Sequence, residues 1–285
     1  MSQSPSSDYL TLPDSTSVPH QRTNRTYPSL QPAYWSFMLG GSVTIPLMLS
    51  YADLLAIPAV EIACAVACAG HQTSESAIWQ GTPLSALLDE VDLNAGTNSA
   101  QVYAADGYRT SLDLAALKQA VLAYQLNGRT LEPEDGGPVR LILPNHYGYK
   151  MPKWIQRIML AESSQANTWE QRSESSSGYI QPIAAILNPR HRARLTAPIE
   201  FSGTAFAGSR PITGVEIRVD EGPWMPAAVE QQSPHTLARW SIQWTPHVPG
   251  EHLIQARAAD QTGFPPGDFP ASALTAYAIV VHVEE

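Results

Sequence analysis

The sequence is organised around one segment, Val60-Glu61-Ile62-Ala63-Cys64-Ala65-Val66-Ala67-Cys68-Ala69-Gly70-His71. On an extended backbone, one face of this segment carries Ile62, Cys64, Val66 and Cys68. The opposite face carries Ala63, Ala65 and Ala67. Because both faces are apolar, the pattern predicts a strand that is buried on both sides. The Ala69-Gly70 pair then allows a tight turn, which leaves Cys68 at the end of the strand.

The two cysteines, Cys64 and Cys68, have two interpretations from the residues alone. Free cysteine is among the most buried residue types, so both can be small apolar core residues. Alternatively, Cys64, Cys68 and His71 form a zinc site, although one short cluster without a second pair of ligands is a weak signal. Two cysteines on one short segment do not make a disulfide framework, which favours a reducing compartment.

Length, charge and hydropathy exclude several classes of protein. A chain of 285 residues is long enough for about two domains. The formal net charge of −9 argues against general nucleic-acid binding, which requires basic surfaces. No run approaches about 20 apolar residues, so no membrane-spanning helix is predicted. Residues 1–8 have neither the basic nor the apolar region of a signal peptide, and with the cysteine usage this predicts a cytoplasmic protein.

The first part of the chain alternates between predicted strands and short helices. The predicted elements are a strand over 34–43, a short helix after Ser50, a helix capped by Thr82, a hairpin at Asp106-Gly107, an amphipathic helix over 114–124 and a buried strand over 139–143. This mixed order predicts a domain that contains both helices and a sheet.

Composition divides the chain into three predicted regions. Residues 1–30 form a polar arm, residues 31–175 a mixed α/β domain, and residues 176–285 a second domain. The polar stretch 161–178 has no periodicity and is predicted to link the two domains. Beyond it, alternating strands with regular turns predict an all-β immunoglobulin-like sandwich. The predicted fold class is therefore α+β.

An ordered set of motifs resembles the sulfite oxidase family of molybdopterin enzymes over roughly residues 20 to 265. The motifs are Cys68-Ala69-Gly70, Trp79-x-Gly81-x-Pro83-Leu84-x-x-Leu87-Leu88, Asn127-Gly128, Gly136-x-Pro138-x-Arg140-Leu141-x-x-Pro144, Tyr147-Gly148 and Lys153-Trp154-Ile155-x-Arg157-Ile158. Each motif is weak alone, but their order is specific. The resemblance identifies residues 31–175 as a molybdopterin-binding domain and residues 176–285 as the dimerisation domain of that family.

The resemblance implies a molybdopterin cofactor with molybdenum, and it gives a third interpretation of Cys68, as the thiolate ligand of the metal. The implied cofactor-binding residues are Asn24, Cys68, Arg140, Lys150, Lys153 and Arg157. The implied catalytic residues are Asn24, Arg25 and His71. Basic residues suit the cofactor phosphate, because a buried dianion requires cationic donors. The implied reaction is oxygen-atom transfer on a small sulfur-oxo or N-oxo compound, with a homodimer and a separate electron-transfer protein as partners.

The sequence also departs from the family pattern. Cys-Ala-Gly is followed by His71 where the family has Asn, and the segment from there to Trp79 is short. The family's Arg-Asn-His corresponds to Thr23-Asn24-Arg25, Lys150 matches only in charge, and Glu174 lies nearest to the family's tyrosine. We therefore expect poor turnover of sulfite. The alternative is a family descendant that keeps the fold without catalysis.

Overall fold

The computed structural model describes residues 27–67, 76–163, 177–233, 236–265 and 276–284. These ranges are mostly β-strand with a few short helices. The strands are β1 (Ser36–Gly41), β2 (Leu47–Ser50), β3 (Val60–Cys64), β4 (Ala77–Pro83), β5 (Ser99–Ala104), β6 (Arg109–Asp113), β7 (Val121–Leu126), β8 (Arg129–Thr130), β9 (Arg140–Ile142), β10 (Ile155–Ala161), β11 (Ile183–Asn188), β12 (Arg194–Leu195), β13 (Ile199–Phe206), β14 (Gly214–Val219), β15 (Met225–Pro226), β16 (Ala228–Glu230), β17 (Ala238–Trp244), β18 (Gly250–Ala259) and β19 (Ala276–Val283). The α-helices are α1 (Tyr51–Ala56), α2 (Leu84–Asp89) and α3 (Leu114–Leu117), and single 3-10 turns cover Pro32–Tyr34, Pro133–Asp135 and Gly148–Lys150.

The strands form three sheets. The first sheet has the order β2-β1-β10-β5-β6, and β1 lies parallel to β10. The second has the order β3-β4-β7-β8, with β9 also paired to β7. The third has the order β15-β14-β18-β19-β11-β13-β17-β16, with β12 paired to β19. The part of the chain after residue 182 is thus all-β where it is described, while the immunoglobulin-like assignment and the boundary at residue 175 stay predictions.

Local sequence signals explain the first elements. Ser50 caps α1 in a capping box, because its hydroxyl accepts from the Asp53 amide while Asp53 accepts from the Ser50 amide. The predicted hairpin is also present, since Gly107 turns the chain between β5 and β6 with φ of 83°. Thr82, in contrast, does not cap α2. Its hydroxyl donates to the Leu54 carbonyl oxygen at 3.0 Å, and Pro83 stands at the cap position.

The predicted helix over 114–124 is wrong in its second half. α3 covers one turn only, Leu114–Leu117, and the chain then enters β7. Four consecutive residues at the start of that strand are buried, which gives an apolar run without alternation. The periodicity of such a run does not distinguish a strand that is buried on both faces from a buried helix.

The strand that leads to the cysteines lies at the edge of the second sheet. Val60 and Glu61 are exposed, and burial begins only at Cys64. The expectation of a strand buried on both sides is therefore wrong for its first half and correct for residues 64–67. Edge position explains the difference, because β3 pairs with β4 alone among the described strands.

Two large apolar clusters and a small third one make up the core. One fills the space between the first two sheets, and a second lies within the third sheet. The third, the junction cluster, consists of Ala65, Ala67, Tyr147, Ile180, Ile183 and Phe206. Its members come from the segment after β3, from the turn before β10, and from the third sheet with the chain that leads into it. The junction cluster thus packs the predicted site against the all-β part. None of the described helices is long and apolar enough to cross a membrane.

Candidate functional site

The segment that follows β3, residues 65–67, is hydrogen-bonded to the Tyr147-Gly148 turn. Ala67 is fully buried and pairs with Tyr147 in a parallel bridge, and its carbonyl oxygen accepts from the Gly148 amide at 2.7 Å. A side chain at Gly148 would bring its Cβ within 2.9 Å of Val66 Cγ1. Cys68 follows Ala67 directly in sequence. The residue that precedes the predicted metal ligand is therefore held against the turn that leads to Lys150.

Lys150 is buried at the end of that turn. Only 2% of its surface is exposed, and its ammonium donates to the Ser111 carbonyl oxygen at 2.7 Å. The turn itself is tied to the first sheet, since the Tyr108 hydroxyl donates to the Tyr149 carbonyl oxygen. The structure thus places the Lys150 charge between the turn and the β5–β6 hairpin.

Lys153 is the second buried ammonium. It is 1% exposed, and its Nζ donates to the Glu134 carbonyl oxygen at 2.6 Å. Burial, helped by the nearby positive charge of Arg140, lowers the pKa of Lys153 to about 7. Gly136 allows this approach, because a Cβ there would lie 2.8 Å from the Lys153 Cβ.

Arg140 lies close to Lys153 and is held by neutral groups. Its guanidinium stacks over the Trp79 ring and donates to the carbonyl oxygens of Asp135 and Met151 at 2.9 and 3.3 Å. Its Nε is buried and has no hydrogen-bond partner in the part of the chain that the structure describes. Burial lowers the pKa of Arg140 to about 10, while the Asp135 charge works in the opposite direction. Arg140 thus adds positive charge to the site while it braces the chain.

Arg157 lies apart from the other predicted cations. An extended chain from 153 would put Lys153, Ile155 and Arg157 on one face, with Trp154 on the other, but this expectation is wrong. β10 begins at Ile155 after Trp154 with φ of 52°, and a bulge between Ile155 and Arg157 shifts the register. One extra residue reverses the side-chain alternation. Arg157 is therefore exposed and stacks on Tyr103 at 4.4 Å, so its cofactor role stays a prediction without support from burial.

Four predicted site residues, Asn24, Arg25, Cys68 and His71, lie outside the described residues, as does Glu174. The described chain begins at Tyr27, whose ring centroid lies 6.0 Å from that of Trp154. The described part of the chain therefore starts beside Lys153. The roles of these four residues stay predictions.

Cys64 is a neutral core residue. Its thiol is buried and donates to the Ala65 carbonyl oxygen at 3.4 Å, and burial raises its pKa to about 12. A thiol with so high a pKa is a poor metal ligand at neutral pH. No cluster of three or more His, Cys, Asp or Glu residues that could hold a metal occurs within the described ranges. The zinc hypothesis also needs Cys68 and His71, so it stays untested.

His146 is a buried residue of the Lys150 turn that the sequence analysis did not include among the site residues. It is 1% exposed, its Nδ1 lies 2.9 Å from the Pro144 carbonyl oxygen, and its ring stacks against Tyr179 at 4.2 Å. Burial lowers the pKa of His146, and the Lys150 charge lowers it further. A histidine directly before the Tyr-Gly turn was the available signal. The sequence contains no pattern that predicts the carbonyl oxygens bonded to Arg140, Lys150 and Lys153, because these contacts arise from tertiary structure.

The residues present fit an anionic cofactor. Arg140, Lys150 and Lys153 are all at most 2% exposed and come from one 14-residue segment. Their hydrogen bonds described above all end on main-chain carbonyl oxygens, which carry no net charge. Buried cations are costly unless a counter-charge is near. Burial is the main cause of the lowered pKa of Lys153; the Arg140 charge adds to it, and the carboxylates of Asp135, Glu134 and Asp106 oppose it. The buried Nε of Arg140 is a donor that a phosphate oxygen would satisfy.

The buried Lys153 predicts a pH dependence of stability. Its folded-state pKa of about 7 lies below the value in the unfolded chain, so between these values the unfolded state binds more protons. The unfolding free energy of the cofactor-free protein should therefore rise above pH 7, by up to about 1.4 kcal/mol per pH unit from this group. Urea unfolding from pH 6 to 9.5 measures it. Lys153→Met should lose this increment, whereas Lys118→Met, at an exposed site, should keep it. Equal slopes in wild type and Lys153→Met would contradict the prediction.

Comparisons with known proteins identify the family of the chain. Residues 24–169, more than half of the chain, match the family model described as the oxidoreductase molybdopterin binding domain. The uncharacterized oxidoreductase YuiH of Bacillus subtilis is 26% identical over 171 residues, which cover 56% of this chain and 86% of that protein. The inducible nitrate reductase [NADH] 2 of Glycine max is 24% identical over 78% of this chain, but the match spans only 33% of that enzyme.

A solved structure is similar in fold. The sulfane dehydrogenase SoxCD from Paracoccus pantotrophus superimposes with a TM-score of 0.69 at 24% sequence identity, over 84% of this chain and 71% of that one. At this identity the likeness concerns the fold alone. Together with the family match, it shows that the chain belongs to the sulfite oxidase-like family of oxidoreductases, whose cofactor is molybdopterin with molybdenum.

Proposed function

We propose that this protein transfers an oxygen atom to or from a small sulfur-oxo or N-oxo compound, with a molybdenum that is bound by Cys68. The hydrogen bond between the Gly148 amide and the Ala67 carbonyl oxygen is the observation that carries the proposal. It holds the residue before Cys68 against the turn that supplies Lys150. In sequence, Cys68 comes one residue after Ala67 and the buried Lys150 two residues after Gly148, so this hydrogen bond would bring a thiolate donor and a cation near each other.

The chain supplies the two kinds of donor that the cofactor requires. Lys150, Lys153 and Arg140 would balance the phosphate charge, with Asn24 and Arg157 as further predicted contacts. Lysine suits this task as a compact charge on a flexible stem, and arginine as a fixed planar donor. When bound, molybdenum supplies the two-electron oxygen exchange that no side chain can perform.

Cys68 is the better metal ligand of the two cysteines. Metal binding requires a thiolate, and burial keeps the Cys64 thiol protonated at neutral pH. Cys64 also ends β3 inside the apolar core. Cys68 comes four residues later, beyond the strand, where the Ala69-Gly70 pair allows a turn.

The cysteine assignment predicts the metal content of two matched variants. Protein produced in a molybdopterin-competent host should contain about one molybdenum per chain, and Cys64→Ala should keep it. Cys68→Ser should lose most of the metal, because a hydroxyl does not replace a soft thiolate ligand. Elemental analysis and the cofactor's visible absorption measure both. An unchanged molybdenum content in Cys68→Ser would refute the assignment. About one zinc per chain in the wild-type protein, in place of molybdenum, would favour the zinc hypothesis.

Charge near the site limits the choice of substrate. A sulfite dianion requires several converging cations, for which arginine forks are well suited. Lys150 and Lys153 are buried and donate to carbonyl oxygens, and Arg157 is exposed on β10. We therefore propose a neutral or singly charged substrate, such as a sulfoxide or an N-oxide. Asn24 and Arg25 would orient it, and His71 would donate the proton, since an unperturbed imidazole titrates near neutral pH.

The substrate proposal predicts an order of turnover rates. Molybdenum-loaded protein is assayed against sulfite with a ferric acceptor, and against a sulfoxide, an N-oxide and nitrate with a reduced viologen. We expect the sulfoxide or N-oxide to turn over at least tenfold faster than sulfite. Sulfite oxidation at tens per second, within the ordinary range of enzymes, would refute this order. No turnover of any substrate by fully loaded protein would favour the non-catalytic alternative.

The family resemblance also supports two proposals about partners. We propose a homodimer formed mainly by residues 200–280, and a separate electron-transfer protein. Light scattering at micromolar concentration should then give about twice the chain mass of 30.9 kDa. The mass of a single chain would contradict the dimer.

A further inference from the structure

A short segment lies across the turn that carries Lys150. Residues 177–181, which we call the return segment, pair with this turn in an antiparallel bridge between His146 and Tyr179. The Tyr147 amide donates to the Gly178 carbonyl oxygen at 2.8 Å, and the Ile180 amide donates to the Asn145 carbonyl oxygen at 2.9 Å. The return segment therefore restrains the turn through main-chain hydrogen bonds on either side of this bridge.

The return segment also packs on the Lys150 side chain. Gly178 has φ of 76°, and a Cβ at this position would lie 2.5 Å from Lys150 Cγ and 2.7 Å from Cε. The close approach confines the aliphatic stem on this side, and the ammonium donates to the Ser111 carbonyl oxygen. The position of the return segment therefore bears directly on the packing of the Lys150 stem.

Arg210 holds the return segment from the all-β part. Its Nη2 donates to the Ile180 carbonyl oxygen and its Nε donates to Asp260 Oδ2, both at 2.6 Å. The Asp260 side chain is 1% exposed, and its other oxygen accepts from the amide and hydroxyl of Thr262. The guanidinium is therefore fixed by a buried, fully hydrogen-bonded carboxylate before it contacts the return segment.

A second contact lies beside Arg210. The Ser209 amide donates to the side-chain oxygen of Asn145, the residue that receives the Ile180 amide. Gly208 has φ of 70°, and a side chain there would collide with Asn145. The Gly208-Ser209-Arg210 turn thus contacts both the Lys150 turn and the return segment.

We propose that Arg210 is a positioning residue for the cofactor site. Clamped by Asp260, it holds Ile180, and through the return segment it fixes Lys150 and the Ala67–Gly148 junction that precedes Cys68. The restraint is a property of the chain itself, while its relevance to the cofactor rests on the proposed function. A merely structural Arg210 would stabilise the third sheet without affecting the Lys150 turn in particular.

Amide hydrogen exchange on the full, metal-free chain separates these roles. In Arg210→Met, exchange at Tyr147, Gly148 and Ile180 should accelerate at least tenfold, while the amides of β13 and β17 stay unchanged. Arg218→Met is the matched control, because Arg218 bonds Gln255 and stacks on Trp224, away from the return segment. Unchanged exchange at the three amides in Arg210→Met, or equal acceleration throughout the third sheet, would overturn the proposal.

Two further measurements keep the test decisive. If Arg210→Met fails to fold, Gly178→Ala should accelerate exchange at Tyr147 and Gly148, because its methyl group displaces the Lys150 stem; unchanged exchange there would contradict the restraint. In loaded protein, Arg210→Met should lose cofactor on dialysis at least threefold faster than Arg218→Met, and equal loss would count against a link to the cofactor. Since exchange is measured without metal, failure of the proposed function would leave that result intact.

Discussion

The site depends on the hydrogen bond from the Gly148 amide to the Ala67 carbonyl oxygen. It joins the segment that follows edge strand β3 to a turn that precedes β10 of the first sheet, and both partners are buried. Neither end has freedom to adjust, because Val66 leaves no room for a side chain at Gly148 and Ala67 lies in the junction cluster. A buried amide or carbonyl without a partner costs free energy, so loss of this contact would open the junction. The position of the segment before Cys68 is therefore coupled to the position of the turn that carries Lys150.

Positive charge is the second constraint. A chain with a net charge of −9 places three cations where water cannot reach them. Each pKa unit by which burial lowers the pKa of Lys153 represents about 1.4 kcal/mol against its charged form. Main-chain carbonyl dipoles offset part of this cost through short hydrogen bonds. They do not remove the charge, and the carboxylates of Asp135, Glu134 and Asp106 offset part of it at Lys153.

The sequence could predict the parts of this site that follow from local pattern. The cysteine strand, the capping box at Ser50 and the basic segment from Arg140 to Lys153 each depend on near neighbours. The bulge between Ile155 and Arg157 carries no such signal, and it reverses the side of the sheet on which Arg157 lies. The helix expected over 114–124 failed because a fully apolar run has no distinguishing period. The sequence could not predict the roles of His146, Arg210 and the carbonyl partners, because their contacts are with residues distant in sequence.

The three buried cations differ in what they can do once an anion is present. Arg140 is locked by two carbonyl oxygens and by the Trp79 ring, so it contributes a fixed positive field rather than a movable contact. Lys153 carries a compact ammonium on a stem that packs against Gly136, and an anion would be a stronger partner for this ammonium than the Glu134 carbonyl oxygen. Lys150 is confined in the same way, since a Cβ at Gly178 would lie 2.5 Å from its Cγ, and its ammonium donates to the Ser111 carbonyl oxygen. The fold thus holds its cations in two ways: the guanidinium is fixed by two carbonyl oxygens and an aromatic ring, whereas each lysine is packed against a glycine and donates to a carbonyl oxygen.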